Sequence, residues 1–220
     1  MKQTLRTCIV LSPLLLNGCT WTPIIEPFFR EYEYDQHATD CSPIATEYDR
    51  LLKLSYEEFD QDLDGGWRAL EARGRCAPIA AKLILDYLGA NQDSELSPMQ
   101  VRLLLWHAAQ TTAYYNEVAA IDLFEKTYET TTRSTQWDIY VDGTIAFLRK
   151  DRRALDDALN MLSKQNVTVE EQTERQVFLD ANPNLTMPKG FVTDPPNLPV
   201  LRALKRCFHL PYRVAYNTCP

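Results

Sequence analysis

A helical spacing of apolar residues between positions 66 and 164 constrains the fold of this chain more than any other feature. Apolar side chains recur at intervals of three and four residues, which places them on one face of an α-helix. A further segment, from about Asp138 to Arg149, is apolar on several sides, which predicts a helix buried between neighbours. Short connections between helices predict antiparallel hairpins and therefore an all-α fold. The stripes are Ala80, Leu83, Ile84 and Tyr87; Val101, Leu104, Leu105, Ala108, Ala109 and Thr112; Ala120, Ile121, Phe124 and Tyr128; and Leu155, Ala158, Leu159 and Leu162.

Capping and breaking residues divide the chain around these stripes. Ser42-Pro43 is a good helix start, and the pairs Ser55 with Glu58 and Ser97 with Gln100 have capping-box spacing. We therefore assign residues 42–164 to a helical hairpin domain. Residues 165–196 lose the helical period, are polar and contain several prolines, so we predict a connecting segment on the surface. Residues 197–220 are predicted to form a capping helix, from Asn197 to about Cys207, and a tail.

The N-terminus has the features of an export signal. Lys2 and Arg6 precede a short apolar run, CIVLSPLLL, which is too short to span a bilayer that needs about 20 residues. The sequence Leu16-Asn17-Gly18-Cys19 resembles the bacterial lipobox. The resemblance implies that residues 1–18 are removed and that Cys19 is acylated, for example with palmitate, as the new N-terminus. The alternative is an ordinary cleaved signal with a chance cysteine.

The lipobox resemblance also implies a location. Thr20, rather than an aspartate, after the cysteine favours the outer membrane, so we expect a bacterial envelope lipoprotein facing the periplasm. Residues 19–41 are rich in aromatic and charged side chains, show no sustained helical period and are predicted to be a tether that partly packs on the body.

The charge of the chain argues against a nucleic-acid partner. The 220 residues include 23 Lys and Arg against 30 Asp and Glu, a net charge of -7. Loss of residues 1–18 removes two cations and no acids, so the mature charge is 21 minus 30, or -9. A protein that binds the phosphates of DNA or RNA needs a basic face.

Four cysteines remain when Cys8 of the signal and the anchoring Cys19 are set aside. An even number in an exported protein predicts disulfides, with three possible connectivities. No C-x-x-C motif is present, which argues against a zinc site or a thioredoxin-like redox site. We favour one local bridge that pins the tail and one that ties the tether to the first hairpin. These are Cys207 with Cys219, and Cys41 with Cys76.

One segment resembles a known repeat. YNEVAAIDLFEK, residues 115–126, is similar to the second helix of a tetratricopeptide repeat, with Ala120 as the small residue and Phe124 as the aromatic four positions later. Residues 75–87 and 150–162 are weaker copies. The copies start about 40 and 35 residues apart, against a family period of about 34. The resemblance implies stacked hairpins with a groove that holds a peptide, and a helical bundle without repeats remains the alternative.

The stretch FDQDLDGGWRALE, residues 59–71, has two interpretations. It fits the short EF-hand pattern, with Asp60, Asp62, Asp64, Gly65 and Glu71 at positions 1, 3, 5, 6 and 12. The exit from this loop does not fit, because an aromatic and a cation occupy positions 8 and 9 and a glycine follows shortly. We favour an acidic turn before a helix, with Trp67 and Leu70 packed inward and no metal site.

No residue is assigned to catalysis. His107 lies beside an apolar stripe and is predicted to be a partly buried structural histidine, and a disulfide at Cys207 would remove the nucleophile near His209. The third histidine, His37, lies in the tether. The chain also lacks hydrolase, zinc-protease, P-loop and dinucleotide motifs.

The sequence therefore predicts a non-enzymatic scaffold, without cofactors, that binds an unidentified envelope protein or peptide. The alternatives are a calcium-binding protein that uses residues 60–71, an envelope enzyme, and a structural subunit of an envelope assembly.

Overall fold

A computed structural model describes residues 41, 45–73, 76–91, 96–129, 135–185, 187 and 190–219. Within these ranges the secondary structure is helical and no strand occurs, so the prediction of an all-α fold is confirmed. A π-helical turn, Glu57–Gln61, and ten α-helices are present: α1 (Ala45–Leu51), α2 (Gly66–Glu71), α3 (Ala77–Ala90), α4 (Pro98–Ala113), α5 (Glu117–Glu125), α6 (Gln136–Leu148), α7 (Arg152–Leu162), α8 (Val169–Ala181), α9 (Leu198–Arg206) and α10 (Tyr212–Asn217).

Several sequence predictions fall outside the described residues. They are the signal at residues 1–18, the acylated Cys19, the tether up to residue 40, His37 and the helix start at Ser42-Pro43. In the described part of the chain, the residues from Cys41 to Cys219 belong to one compact unit.

Helices that follow one another in the chain pack against one another in space. The pairs α2–α3, α3–α4, α4–α5, α5–α6 and α6–α7 are all in contact, as hairpin packing requires.

The predicted caps form at the starts of two of these elements. Ser97 and Gln100 form a complete capping box at the start of α4, and Ser55 and Glu58 bond each other's backbone N–H before the π-helical turn. The sequence therefore marks the starts of these elements correctly.

Helix α4 lies at the centre of the core. Its predicted stripe is buried at Leu104, Ala108 and Ala109, and its opposite face carries the buried Trp106. The Trp106 ring lies 4.6 Å from that of Phe124, and the rings of Trp137 and Tyr140 lie within 5 Å of it. Such aromatic pairs add about 0.5–1.5 kcal/mol each beyond the area that they bury. The cluster joins α4 to α5 and α6.

Helix α9 covers the last hairpin, as predicted for the capping helix. It packs on both α6 and α7, and Leu198, Leu201 and Leu204 are buried. The closest approach is at Gly143 of α6, where a Cβ atom would lie 2.7 Å from Leu201 Cδ1 and 3.2 Å from Ala158 Cβ. Only a residue without a side chain lets the three helices meet this closely.

This contact gives a direct test of the capping helix. Gly143→Ala should lower the free energy of unfolding by about 1–3 kcal/mol, because the added methyl group overpacks the contact with Leu201. Gly89→Ala is the matched control, since Gly89 is exposed in α3 and a Cβ there would meet nothing within 4 Å. The control should raise stability by up to about 1 kcal/mol through helix propensity. Chemical denaturation measures the free energy of unfolding of both variants. Changes of the same sign in the two variants would contradict the close packing at Gly143.

The C-terminal tail contains a helix that the sequence analysis did not predict. Helix α10 packs on α9, and its Tyr212 is fully buried. The backbone N–H of Tyr212 donates to Glu117 Oε1 at 2.6 Å, and the Tyr212 ring lies 6.3 Å from that of Phe124. The helix has only six residues, which is too short to show a sustained helical period. Contact with α5 stabilises it.

Residues 165–196 were predicted to be an irregular connecting segment, and this is wrong for residues 169–181. Helix α8 begins there after a complete capping box formed by Thr168 and Glu171. The predicted surface position is correct, because no residue of α8 is buried. The capping box was the available signal, and the absence of an apolar stripe hid the helix.

Candidate functional site

The acidic stretch at residues 59–71 forms a structural network around a buried carboxylate. Asp60 is fully buried. Its Oδ1 accepts a hydrogen bond from Trp67 Nε1 at 2.9 Å and lies 2.7 Å from Nδ1 of His107, while its Oδ2 accepts from Gln61 Nε2 at 2.7 Å. The network ties the π-helical turn to both α2 and α4.

Arg68 completes this network. Its guanidinium donates to the backbone carbonyl of Asp60, lies 3.8 Å from Asp60 Oδ1 and stacks 4.3 Å above the Trp67 ring. Burial raises the pKa of Asp60, but the hydrogen bonds and charges of His107, Trp67 and Arg68 outweigh it and hold the pKa below its ordinary value. A buried carboxylate of this kind is stable only because its partners satisfy it.

The histidine and tryptophan predictions agree with this geometry. Trp67 and Leu70 are buried, and the His107 side chain is 17% exposed. His209 is exposed, and the adjacent Cys207 is in a disulfide with Cys219. A second disulfide joins Cys41 to Cys76, so both bridges follow the connectivity that the sequence favoured.

The backbone of the acidic loop departs from the EF-hand pattern. That pattern requires its turn glycine at position 6, which is Gly65. Gly65 is extended, with φ -116°, and Gly66 instead adopts the left-handed conformation, with φ 51°. A Cβ on Gly66 would collide with the Phe59 carbonyl, so the tight turn falls one residue late. Among the described residues, no group of three or more His, Cys, Asp or Glu is placed to hold a metal ion.

We expect calcium to have little effect on this protein. The Asp60 carboxylate already bonds Trp67 and His107. A functional site at 100-fold excess of calcium over its dissociation constant would stabilise the fold by about 2.7 kcal/mol. Thermal unfolding with calcium should instead match a magnesium control of equal ionic strength. A calcium-specific rise of several degrees that Glu71→Ala abolishes would contradict this interpretation.

A second feature of the structure is a groove between α7 and α9, with a volume of about 710 Å³. The two helices are antiparallel, because Arg152 at the start of α7 lies 5.4 Å from the ring of Phe208 beyond the end of α9, while Asp156 contacts Lys205. Leu159 is half-buried and contributes apolar surface, while Leu198 also lines the groove but is buried. The polar residues that line the groove are Arg152, Asp156, Asn160, Ser163, Arg202, Lys205, Arg206 and His209.

The groove is basic, although the chain as a whole is acidic. Four Arg and Lys residues and one Asp line it, so with neutral histidine its formal charge is 4 minus 1, or +3. Lys205 Nζ pairs with Asp156 Oδ1 at 2.7 Å, and Arg202 pairs with Asp194. In the described part of the chain, no carboxylate lies within ion-pair distance of Arg152 or Arg206. Arg152 and Arg206 are both exposed, so their guanidinium groups can reach a ligand at one end of the groove.

Sequence reasoning did not find this groove. Its two walls come from segments about 50 residues apart, and a local pattern does not show that they form one groove. The spacing of Arg202, Lys205 and Arg206 places three cations on one side of α9, opposite Leu201 and Leu204. The sequence alone does not show that α7 faces this side with Arg152.

Comparison with known proteins does not assign the groove a ligand: no family model, curated protein or solved structure matches this chain. Of the helices in the described ranges, none has the length and apolar character needed to cross a bilayer.

Proposed function

We propose that this protein is a non-enzymatic, lipid-anchored scaffold of the bacterial envelope that binds a partner protein in the groove between α7 and α9. The observation that carries the proposal is the groove itself. It is shallow, combines cations with the half-buried Leu159 and is built on two packed helices. Rigid grooves between helices are a recurrent mode of peptide recognition.

The arrangement of hairpins supports a tetratricopeptide-like scaffold. The three segments with the repeat resemblance correspond to α3, α5 and α7, and each packs on the helix before it. Ala80 and Ala120, the small residues of the first two copies, are fully buried, as are Ile84 and Phe124 four positions later. In the third copy the buried Leu155 replaces the small residue. Buried small residues permit the close helix packing on which stacked hairpins depend.

The anchor is a separate part of the proposal and has its own test. Cys19→Ala should release the protein from membranes into the soluble fraction, because one thiol carries the lipid. Fractionation followed by mass spectrometry of the N-terminus measures both effects. An unmodified mature protein that begins at another residue would contradict lipidation at Cys19.

Photo-crosslinking tests the binding function. Asn160 lines the groove and is exposed, so a p-benzoylphenylalanine there reports what enters it. The matched control is the same probe at Val177 of α8, which is 61% exposed and lies on the competing exposed helix. We expect irradiation with isolated envelopes to attach a protein to the Asn160 probe, and excess unmodified protein to suppress the product.

Two results would contradict this function. One is the absence of any competed product at Asn160. The other is a competed product from the Val177 probe alone, which would move the binding surface to α8.

A further inference from the structure

We infer that the groove recognises an extended acidic segment of its partner, with glutamates or aspartates around an apolar side chain. This inference rests on the proposed function and adds the chemical class of the ligand. It follows from three properties of the groove: two arginines that have no carboxylate partner in the described part of the chain (the unpaired cations), the apolar surface of Leu159, and the length of the groove along two antiparallel helices.

The unpaired cations define where the ligand carboxylates bind. Arg152 and Arg206 have no carboxylate partner within the described ranges, although the chain has seven more acidic than basic residues. The contacts that the structure gives them are with Phe208, at 5.4 Å from Arg152, and with the backbone carbonyl of Cys219, at 3.4 Å from Arg206. Neither contact neutralises a charge. Arginine binds carboxylates through two parallel hydrogen bonds, so this end of the groove fits an acidic side chain.

The other residues define the rest of the ligand. Lys205 bridges the groove to Asp156, and Arg202 lies nearer the start of α9 with Asp194 as its partner. Although each of these two cations already has a partner, both can also attract a second carboxylate of the ligand at the edge of the groove. Leu159 is half-buried and leaves apolar surface for an apolar side chain between the acids, whereas Leu198 also lines the groove but is buried. Asn160 and Ser163 supply polar groups that can bond an extended backbone.

The charge of the whole protein favours an acidic peptide over an anionic membrane surface as the ligand. The cations line a shallow, open groove between two helices. The net charge, -7 for the full chain and -9 without residues 1–18, would repel the protein as a whole from anionic lipids. The carboxylates of a narrow acidic peptide are attracted to the cations of the groove. Binding of such a peptide does not bring the acidic remainder of the protein close to a second negative surface.

Fluorescence anisotropy with defined peptides tests this inference. The probe is a dye-labelled peptide of glutamates and serines with a central leucine. The control is the same peptide with every glutamate replaced by lysine. We expect the acidic peptide to bind with an affinity that falls as salt is added. Its affinity should exceed that of the lysine peptide by more than tenfold. The double variant Arg152→Ala with Arg206→Ala should bind the acidic peptide about tenfold more weakly, since both lost ion pairs are at exposed positions, where each contributes about threefold in affinity.

A matched variant separates local recognition from net charge. Arg153→Ala with Lys53→Ala removes the same two charges from exposed positions that do not line the groove. We expect it to retain affinity within about twofold, as expected for charges outside the contact. Thermal unfolding of both double variants checks that they fold equally well.

Several outcomes would overturn the inference. It fails if the lysine peptide binds as tightly, if the matched variant loses as much affinity as the groove variant, or if vesicles of anionic phospholipid bind in the groove while the acidic peptide does not. If the peptide fails but the competed Asn160 crosslink persists, the binding function stands and only the acidic class is wrong. If the competed Asn160 crosslink is absent although the acidic peptide binds, the result contradicts the proposed binding of an envelope protein.

Discussion

Replacing Trp67 by alanine should lower the free energy of unfolding by about 4 kcal/mol, the usual cost of emptying a buried tryptophan position. Trp67 is 8% exposed, donates to the buried Asp60 and stacks against Arg68. Its removal therefore empties a core position and takes one donor from a fully buried carboxylate. Denaturant titration measures the loss.

Trp67→Phe is the control for this prediction. Phenylalanine keeps an aromatic ring beside Arg68 but cannot donate to Asp60, so it should cost about 1–3 kcal/mol, the range for an unsatisfied buried polar group. A loss below about 1 kcal/mol for Trp67→Ala would show that the network does not hold α2 in place.

The second large effect concerns the disulfide between Cys41 and Cys76. The double variant Cys41→Ser with Cys76→Ser should lower stability by about 4 kcal/mol in the chain-entropy model, because the bridge closes a loop with a sequence separation of 35. The bridge between Cys207 and Cys219 closes a separation of only 12, and its removal should cost about 3 kcal/mol.

The two disulfide variants serve as controls for each other. Both remove one bridge and add two serines, so the difference between them reports loop size and local packing. Non-reducing peptide mapping of the parent protein checks the pairing first. A peptide that links Cys76 to Cys207 would contradict the structure at both sites.

Sequence pattern predicted those parts of the fold that depend on local, repeated signals. The stripe and capping box of α4 were both visible, because a core helix must bury one face and satisfy its first N–H groups. Helix α8 has the same kind of cap, Thr168 with Glu171, but no buried face. Helix α10 is stabilised by Tyr212 against α5, a contact between residues 95 apart. Such distant packing leaves little trace in a local pattern.

The sites show the same division between local and distant signals. The spacing of acids at residues 60–71 matched a calcium loop, but spacing does not give the direction of a side chain. The structure turns the Asp60 carboxylate inward to Trp67 and His107, and His107 lies 47 positions away in the chain. The basic groove likewise depends on Arg152 and Arg206, which line it from two different helices.

Hydrogen exchange tests the central claim most directly, namely that a partner binds between α7 and α9. The measurement compares the protein alone with its complex with the partner recovered through the Asn160 crosslink. We predict slower exchange in residues 152–163 and 198–209, with α3 and α8 unchanged. Slower exchange confined to α3 or α8, with α7 and α9 exchanging as in the free protein, would contradict the claim.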